Sequence, residues 1–388
     1  MKILVLGAGG RIGSAIVKDL MEIDSHEVTE VVAADISRER VARLTDEYDS
    51  ATLKLEQVDI ADHAKLVELF SGSDVVINST VPAGSIPVDV LKAALKARAN
   101  VIDLGAWPEE TEQSLALNDD FEQAGLTAIL GLGSSPGITN LIAKTLVDKL
   151  DSVETIELSF GYASLGTSTL PLAVPFEGAL TEYIAGPLVF RNGKFEKLPP
   201  QSGLQNIEYP EPIGVRRSFY IGHPEILTFP RFFQDKGIQN AWMRAGFTSD
   251  FSDRVNFLID LGIISESPIK VKNNEVVPLD VLTACLNKFP PEAGEVIDYG
   301  CTMVIVRGEQ ERVKREYTAL MLNRPYQGLT NAQHRTSHSP AIGARMLTKG
   351  QITKKGVFPP EAGVAPEPFF RELARRELEI EVTVKDFL

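Results

Sequence analysis

Glycines at Gly7, Gly9, Gly10 and Gly13 break the chain between an apolar run, Lys2 to Leu6, and a stripe of Ile12, Ala15, Ile16 and Leu20 spaced for one face of a helix. A residue without a side chain lets the backbone turn tightly and come close to a bulky anion, and the first N–H groups of a helix have no partner inside it. Strand, glycine turn and helix in that order build a seat for a pyrophosphate. Gly7, Gly9, Gly10, Arg11 and Ile12 supply its backbone, and Gly13 lets helix and strand pack closely. Alone, such a pattern is a weak sign. Asp35 strengthens it by closing a second apolar run, Val28 to Ala34, where a carboxylate accepts hydrogen bonds from the adenosine ribose. Together they predict a dinucleotide site.

Asp35 repels a 2′-phosphate, which makes NAD the expected cofactor. NADP is the alternative, because Ser37, Arg38 and Arg40 follow and the arginines can hold a phosphate if the acid turns away. Asp59, after the third strand, is placed either to meet the adenine edge or to cap a helix. Asn78, Val81 and Pro82 leave the fourth strand at the carboxyl edge of such a sheet, which faces the nicotinamide.

The elements that must position these residues follow from periodicity. Lys2 to Leu6, Val28 to Ala34, Leu53 to Val58, Asp74 to Asn78, Val101 to Leu104 and Thr127 to Leu130 read as strands, separated by helical stretches such as Arg38 to Glu47 and Val88 to Ala97. Their alternation predicts an α/β, doubly wound parallel sheet of Rossmann type. Beyond it, Ile156 to Tyr162, Val255 to Ile263, Thr302 to Arg307 and Arg315 to Leu322 read as strands of a mixed or antiparallel sheet. Leu188 to Phe195 reads as a hairpin turning on Asn192-Gly193.

Composition bounds the function. A chain of 388 residues exceeds one ordinary core, and 44% hydrophobic with 24% charged residues is a globular balance. The formal net charge of -14 argues against a nucleic-acid partner. Two cysteines, Cys285 and Cys301, suggest neither a disulfide nor a zinc site and read as buried thiols. No apolar run is long enough to span a bilayer and the amino terminus lacks a leader pattern, so a cytoplasmic protein with no membrane partner is expected. His334 and His338 are four apart but lack a third ligand, so no metal is expected. Arg335, Thr336 and Ser337 between them are placed to approach cofactor or substrate, and the lysines from Lys349 to Lys355 read as solvated.

Four further stretches, Gly131-Leu132-Gly133-Ser134-Ser135-Pro136-Gly137-Ile138-Thr139-Asn140, Arg191-Asn192-Gly193, Gly222-His223-Pro224-Glu225 and Ile352 to Glu361, join the glycine turn in an order that resembles the saccharopine dehydrogenase-like family. The Pro-Gly-Ile-x-Asn form and the tail stretch are most similar to the lysine 6-dehydrogenases of that family. The resemblance implies a Rossmann domain of residues 1–134 and 333–388, an inserted α+β domain of residues 135–332, and a homodimer or higher homo-oligomer. It also implies hydride exchange between NAD(P) and the C–N bond of an amino acid or its imine. Ser134-Ser135 and Ala83-Gly84-Ser85-Ile86 depart from the saccharopine reductase pattern. An NADPH-dependent carboxynorspermidine or saccharopine-type reductase is the alternative, and a non-catalytic dinucleotide sensor a further one.

Such a reaction needs a group to take the proton of the amine and another to hold the substrate's carboxylate. His223, between Gly222 and Pro224, titrates near neutrality and reads as the acid–base group or as a structural imidazole. Glu177, in Pro175-Phe176-Glu177-Gly178, reads as an acid facing the amine or as a residue that begins a helix. Arg231 is placed to clamp a carboxylate or to make a surface ion pair.

Overall fold

A computed structural model describes residues 1–48, 51–80, 86–105, 107–164, 176–286 and 297–387, with residues 86 and 176–179 described by their backbone alone. The first half alternates β1 (Lys2–Leu6), α1 (Arg11–Glu22), β2 (Glu30–Asp35), α2 (Arg38–Ala42), β3 (Leu53–Gln57), α3 (His63–Phe70), β4 (Val75–Asn78), α4 (Ile86–Ala97), β5 (Asn100–Asp103), α5 (Pro108–Leu115), α6 (Asn118–Ala124) and β6 (Thr127–Leu130). Successive side chains of a strand leave on opposite faces. Ile3, Val5, Val31, Ala33, Val75 and Ile77 accordingly share one core with Ile16 and Leu20 of α1. Leu4, Leu6, Val32, Ala34 and Val76 share another with Phe70 of α3 and Leu91 of α4. A sheet buried on both faces needs the near-continuous apolar runs seen in the sequence.

After α7 (Ile138–Val147) the second sheet begins with β7 (Ser152–Ser164), α8 (Phe176–Ile184), β8 (Leu188–Arg191), β9 (Lys194–Lys197), β10 (Gln205–Glu208), β11 (Val215–Ile221), α9 (Pro224–Phe232) and β12 (Asn240–Gly246). It continues through α10 (Ser249–Asp260), a small hairpin of β13 (Ile269–Val271) and β14 (Asn274–Val276), α11 (Pro278–Leu286), and the long pair β15 (Asp298–Gln310) and β16 (Val313–Asn323). The tail supplies α12 (Asn331–Thr348), β17 (Gly356–Phe358), α13 (Pro366–Ala374) and β18 (Glu381–Phe387).

The first sheet is parallel, in the order β17-β6-β5-β4-β1-β2-β3, and the second runs β10-β11-β12-β7-β15-β16-β18 with the β8–β9 hairpin beside β12. Among the described residues only β12 and β7 pair in parallel there, so the sheet is mixed, one of the two forms expected. Asn192 and Gly193 both have positive φ at the hairpin turn. The expected strand from Val255 to Ile263 instead belongs to helix α10: Phe251 and Val255, one turn apart, are buried while Phe257 and Leu261 face solvent. Val255, Phe257, Ile259, Leu261 and Ile263 alternate as a strand would, and that period concealed the helical one. Arg38 to Glu47 divides into α2 and a 3-10 turn. Cys301 is buried, but Cys285 is exposed, against expectation. Among the described residues no helix is long and apolar enough to cross a membrane.

The tail joins both sheets. β17 pairs with β6, placing Gly356 beside Thr127, and β18 pairs with β16. The tail is fastened to α1 by Asp19, whose fully buried carboxylate accepts hydrogen bonds from Arg376 Nε at 2.6 Å, Arg345 Nη1 at 2.6 Å and His338 Nδ1 at 2.5 Å. Burial opposes its charge, but the hydrogen bonds from His338 and Arg376 and the field of the guanidiniums outweigh this and hold the carboxyl far below the ordinary range. His334 bonds the Arg376 carbonyl at 2.7 Å. Both histidines therefore pack as core residues, and no metal-binding cluster occurs among the described residues. Replacing Asp19 by Ala leaves Arg345 with backbone carbonyls and Arg376 with Glu372 as their remaining partners in the interior, so unfolding in urea should show a loss of about 3–5 kcal/mol; a loss below about 1 kcal/mol would contradict this role.

Candidate active site

A cavity of about 490 Å³ opens at the carboxyl edge of the first sheet, with Gly7, Gly10, Asp35, Arg40, Asp59, Ser79 and Thr80 in its wall. Helix α1 opens there without a side-chain cap and without an acid in its first turn, which leaves the amides of Arg11, Ile12 and Gly13 for an anion. A Cβ at Gly13 would lie 2.1 Å from the Gly7 carbonyl oxygen, and one at Gly9 would lie 2.5 Å from Arg40 Cβ. Those two positions admit glycine alone, and the residues fit a pyrophosphate. Arg11 is exposed, its carbonyl accepting a hydrogen bond from Gln333 of α12, and Ile12 packs against the core.

The adenosine end differs in detail from the expectation. Asp35 Oδ2 accepts from the Gly9 amide at 3.0 Å and Oδ1 from the Ser37 amide at 2.9 Å. Ser37 caps α2, and Arg40, rather than Arg38, stands in the cavity wall. Asp59 is also in the wall, while Asp62 caps α3. Asn78 donates to Asp103 at 2.6 Å and accepts from the Thr80 hydroxyl at 2.7 Å. Burial, partly offset by Asn78 and the Gly105 amide, pushes the Asp103 carboxyl up to about 6. Ser79 and Thr80 were missed because small polar residues after a strand read as ordinary loop. Val81 and Pro82 lie outside the described residues.

The second domain brings a cluster to the same edge. The turn from Gly131 to Gly137 leaves β6 and starts α7; a Cβ at Gly137 would lie 2.0 Å from the Gly133 carbonyl oxygen. Glu225, in the first turn of α9, is fully buried and bonds His223 Nδ1 through Oε2. Its Oε1 accepts from the Ser135 hydroxyl at 2.5 Å and the Thr139 hydroxyl at 2.7 Å. Burial resists the charge, but nearby His223 and these hydroxyls hold the Glu225 carboxyl below the ordinary range. With Nδ1 engaged by a carboxylate, Nε2 is the nitrogen left to exchange a proton.

Asn140, beside Thr139, donates to Glu361 at 2.7 Å. Burial, with the added repulsion of Glu225, pushes the Glu361 carboxyl up to about 7. Arg335 of α12 is buried and bonds the Ser134 hydroxyl at 3.3 Å and the Tyr162 hydroxyl at 3.0 Å. Burial pushes the Glu182 carboxyl on α8 up to about 7 against the pull of His223 and Arg335.

Of the expected catalytic residues, His223 lies in this cluster. Arg231 does not: it is exposed near the far end of α9, over the Phe232 ring, about 12 Å of helix from His223. The Glu177 side chain lies outside the described residues. Glu225, Glu361 and Glu182 were missed. Pro224 and Glu225 are a visible helix-start pair, but the stretch was read as a loop around His223, and a lone Glu there gives no sign of the partners that bury it.

A doubly wound sheet with a glycine-turn cofactor cleft, facing a mixed-sheet domain that presents a half-buried imidazole on a buried carboxylate, defines a two-domain dinucleotide-dependent oxidoreductase. Residues 3–129 match the saccharopine dehydrogenase NADP binding domain and residues 133–378 the saccharopine dehydrogenase C-terminal domain. The chain belongs to the saccharopine dehydrogenase family, and it is a nicotinamide-dinucleotide-dependent dehydrogenase of carbon–nitrogen bonds. It is 25% identical to the carboxynorspermidine synthase of Vibrio cholerae over 84% of this chain and 81% of that protein. It is 24% identical to the carboxyaminopropylagmatine dehydrogenase of a Synechocystis species over 97% of this chain and 96% of that protein. The saccharopine dehydrogenase (L-Glu forming) of Saccharomyces cerevisiae shares the fold at a TM-score of 0.76 and 15% identity, over 98% of this chain and 99% of that one.

A carboxyl at about 7 in the folded chain, against an ordinary 4.5, binds its proton more tightly folded than unfolded. Stability therefore falls as pH rises between those values, by roughly 3 kcal/mol at the upper end. Glu361→Gln removes that penalty and keeps an acceptor for Asn140. Urea melts at about pH 5 and about pH 8 should show the variant gaining on the parent as pH rises, and an unchanged difference would rule the effect out.

Proposed function

We propose that this enzyme exchanges hydride between NADP(H) and the C–N bond of an amino-acid-derived amine or its imine, with His223 as the acid–base group. The observation that carries this reading is the His223–Glu225 pair, which reaches the carboxyl edge of β6 from the second domain through Ser135 and Thr139. The nicotinamide end of a cofactor seated on the glycine turn faces that edge.

When bound, the nicotinamide supplies or accepts the hydride. In oxidation, His223 Nε2 takes the proton lost from the neutral amine nitrogen while the carbon gives up hydride, leaving an imine that water hydrolyses. In reduction it returns that proton to nitrogen. Glu225 fixes the imidazole tautomer and steadies its charged form. The names of the relatives, carboxynorspermidine and carboxyaminopropylagmatine, support a secondary amine that carries a carboxyl group.

The choice of NADP over the NAD expected from Asp35 is supported by both Asp35 oxygens being held by loop amides, by Arg40 in the cavity wall, and by the NADP-binding description of the matched domain. A homo-oligomer fits the same reading, since β18 leaves Val382, Val384 and Phe387 exposed on the outer strand of the second sheet.

Two measurements test it. Replacing His223 by Asn should lower kcat/KM by about a hundred- to ten-thousandfold while leaving dinucleotide affinity unchanged. If the parent binds dinucleotide yet exchanges no hydride with any secondary or primary amine, or with their imines, the catalytic assignment fails. Arg40→Ala should weaken NADP binding by about tenfold to a hundredfold and NAD binding hardly at all; a parent that prefers NAD overturns the cofactor choice.

A further inference from the structure

The first sheet reverses its strand order between β1 and β4, and a dinucleotide lies across that point with its two halves over opposite flanks. Asp35 at the end of β2 and Asp59 after β3 mark the adenosine flank. The nicotinamide half therefore falls over the ends of β4 and β5, where Asn78 and Asp103 stand opposite each other in register. Their side chains are joined. Asn78 Nδ2 donates to Asp103 Oδ2 at 2.6 Å, and Asn78 Oδ1 accepts from the Thr80 hydroxyl at 2.7 Å. Thr80 stands in the cavity wall, so two hydrogen bonds connect the cavity to the carboxyl behind it.

Asp103 is buried, and its other oxygen accepts from the Gly105 amide at 2.6 Å. A Cβ at Gly105 would lie 2.5 Å from that oxygen, so the strand end is shaped around the carboxyl. Both of its donors are neutral. By contrast Asp19, Glu157 and Glu225, buried acids elsewhere in the chain, each have an arginine or a histidine upon them. Burial outweighs the two donors and pushes the Asp103 carboxyl up to about 6, which leaves it ionised at pH 8. A strap between two strands needs no charge, since a pair of amides joins them as well. A buried carboxylate held by neutral donors acts on a positive group that enters beside it, because little water intervenes to screen the two.

We propose that Asp103 sets the balance between the two redox forms of the bound dinucleotide, its carboxylate favouring the oxidised nicotinamide, which carries a positive charge, over the reduced ring, which carries none. The proposal rests on the dinucleotide seat and is independent of the substrate and of the acid–base group. Asn78 and Thr80 are the positioning residues. With Nδ2 given to Asp103, the Asn78 oxygen takes the Thr80 proton, and the Thr80 lone pairs are left for the cavity. A charge at one end polarises each bond of the line, so its negative potential reaches the wall. Stabilising the oxidised ring makes the reduced one a stronger hydride donor, which favours reduction of an imine over oxidation of an amine.

The test is binding, by calorimetry at pH 8, of the oxidised and the reduced forms of NADP and of NAD to the enzyme without substrate. The ratio of the two affinities for one dinucleotide reports the charge, because a displaced loop weakens both forms alike. Asp103→Asn should move that ratio toward the reduced form by about threefold to thirtyfold. Combining Asp103→Asn with Asn78→Asp keeps every hydrogen bond, with donor and acceptor exchanged, and brings the charge one residue nearer the cavity; the ratio should then move beyond the parent's toward the oxidised form by at least about twofold. A single variant whose ratio stays within about twofold of the parent's overturns the proposal, as does a double variant whose ratio fails to move toward the oxidised form. Thermal midpoints measured alongside identify a misfolded single variant, and the double variant then decides alone. A parent that binds neither dinucleotide overturns the oxidoreductase reading as well; unmoved ratios in variants that still exchange hydride sink this proposal and leave that reading standing.

Discussion

A carboxylate in a dry interior persists only when its lone pairs are filled by donors, and Asp19 meets this demand with residues 319, 326 and 357 positions further along the chain. It lies on α1, whose first turn opens at the pyrophosphate seat. Two of its partners lie on α12, which also carries Arg335, and the third follows α13. One buried charge thereby ties the helix after the glycine turn to the helix that carries Arg335. Removing a donor leaves a lone pair of the buried carboxylate unfilled, so the arrangement admits few alternatives even though a buried ion cluster adds little net stability.

The same constraint recurs at the reacting end with a different result. Thr139 and Asn140, adjacent at the start of α7, each hold one buried glutamate, Glu225 and Glu361. Glu225 has an imidazole beside it and two hydroxyls upon it, which hold its carboxyl below the ordinary range; Glu361 has no cation, only neutral donors and a like-charged neighbour, and burial raises its carboxyl to about 7. Their environments, not their residue type, separate the two acids. Strand β17 makes this possible, because its pairing with β6 brings the tail stretch that ends at Glu361 against α7.

Much of the first domain was legible because its signals are local. The limits of β1 and β6 coincide with the apolar runs read from the sequence, and the glycine turn lies where strand gives way to helix. Gly9, the supernumerary glycine, has its reason only in three dimensions, where Arg40 and Asp35 occupy the space of its missing side chain. His223 could be singled out from its neighbours, whereas nothing local marks Glu225, whose partners Ser135 and Thr139 come from a distant turn. The failure at Val255 to Ile263 has a simple cause: its apolar residues fall at every second position, and with Leu258 among them the same stretch also fits period 3.6.

By itself the sequence determined the doubly wound sheet, the glycine turn between its first strand and helix, a second sheet of mixed or antiparallel kind and the candidacy of His223, because each depends on periodicity or on backbone freedom over a few residues. Tertiary structure alone decided which way Asp35 faces, that Arg40 rather than Arg38 borders the cofactor cleft, and that Arg335 rather than Arg231 is the buried cation. Those outcomes depend on burial and on charges brought together from distant segments. A guanidinium acquires its meaning from what surrounds it, and the surroundings of Arg335 come from Ser134 and Tyr162, which no local spacing connects to it.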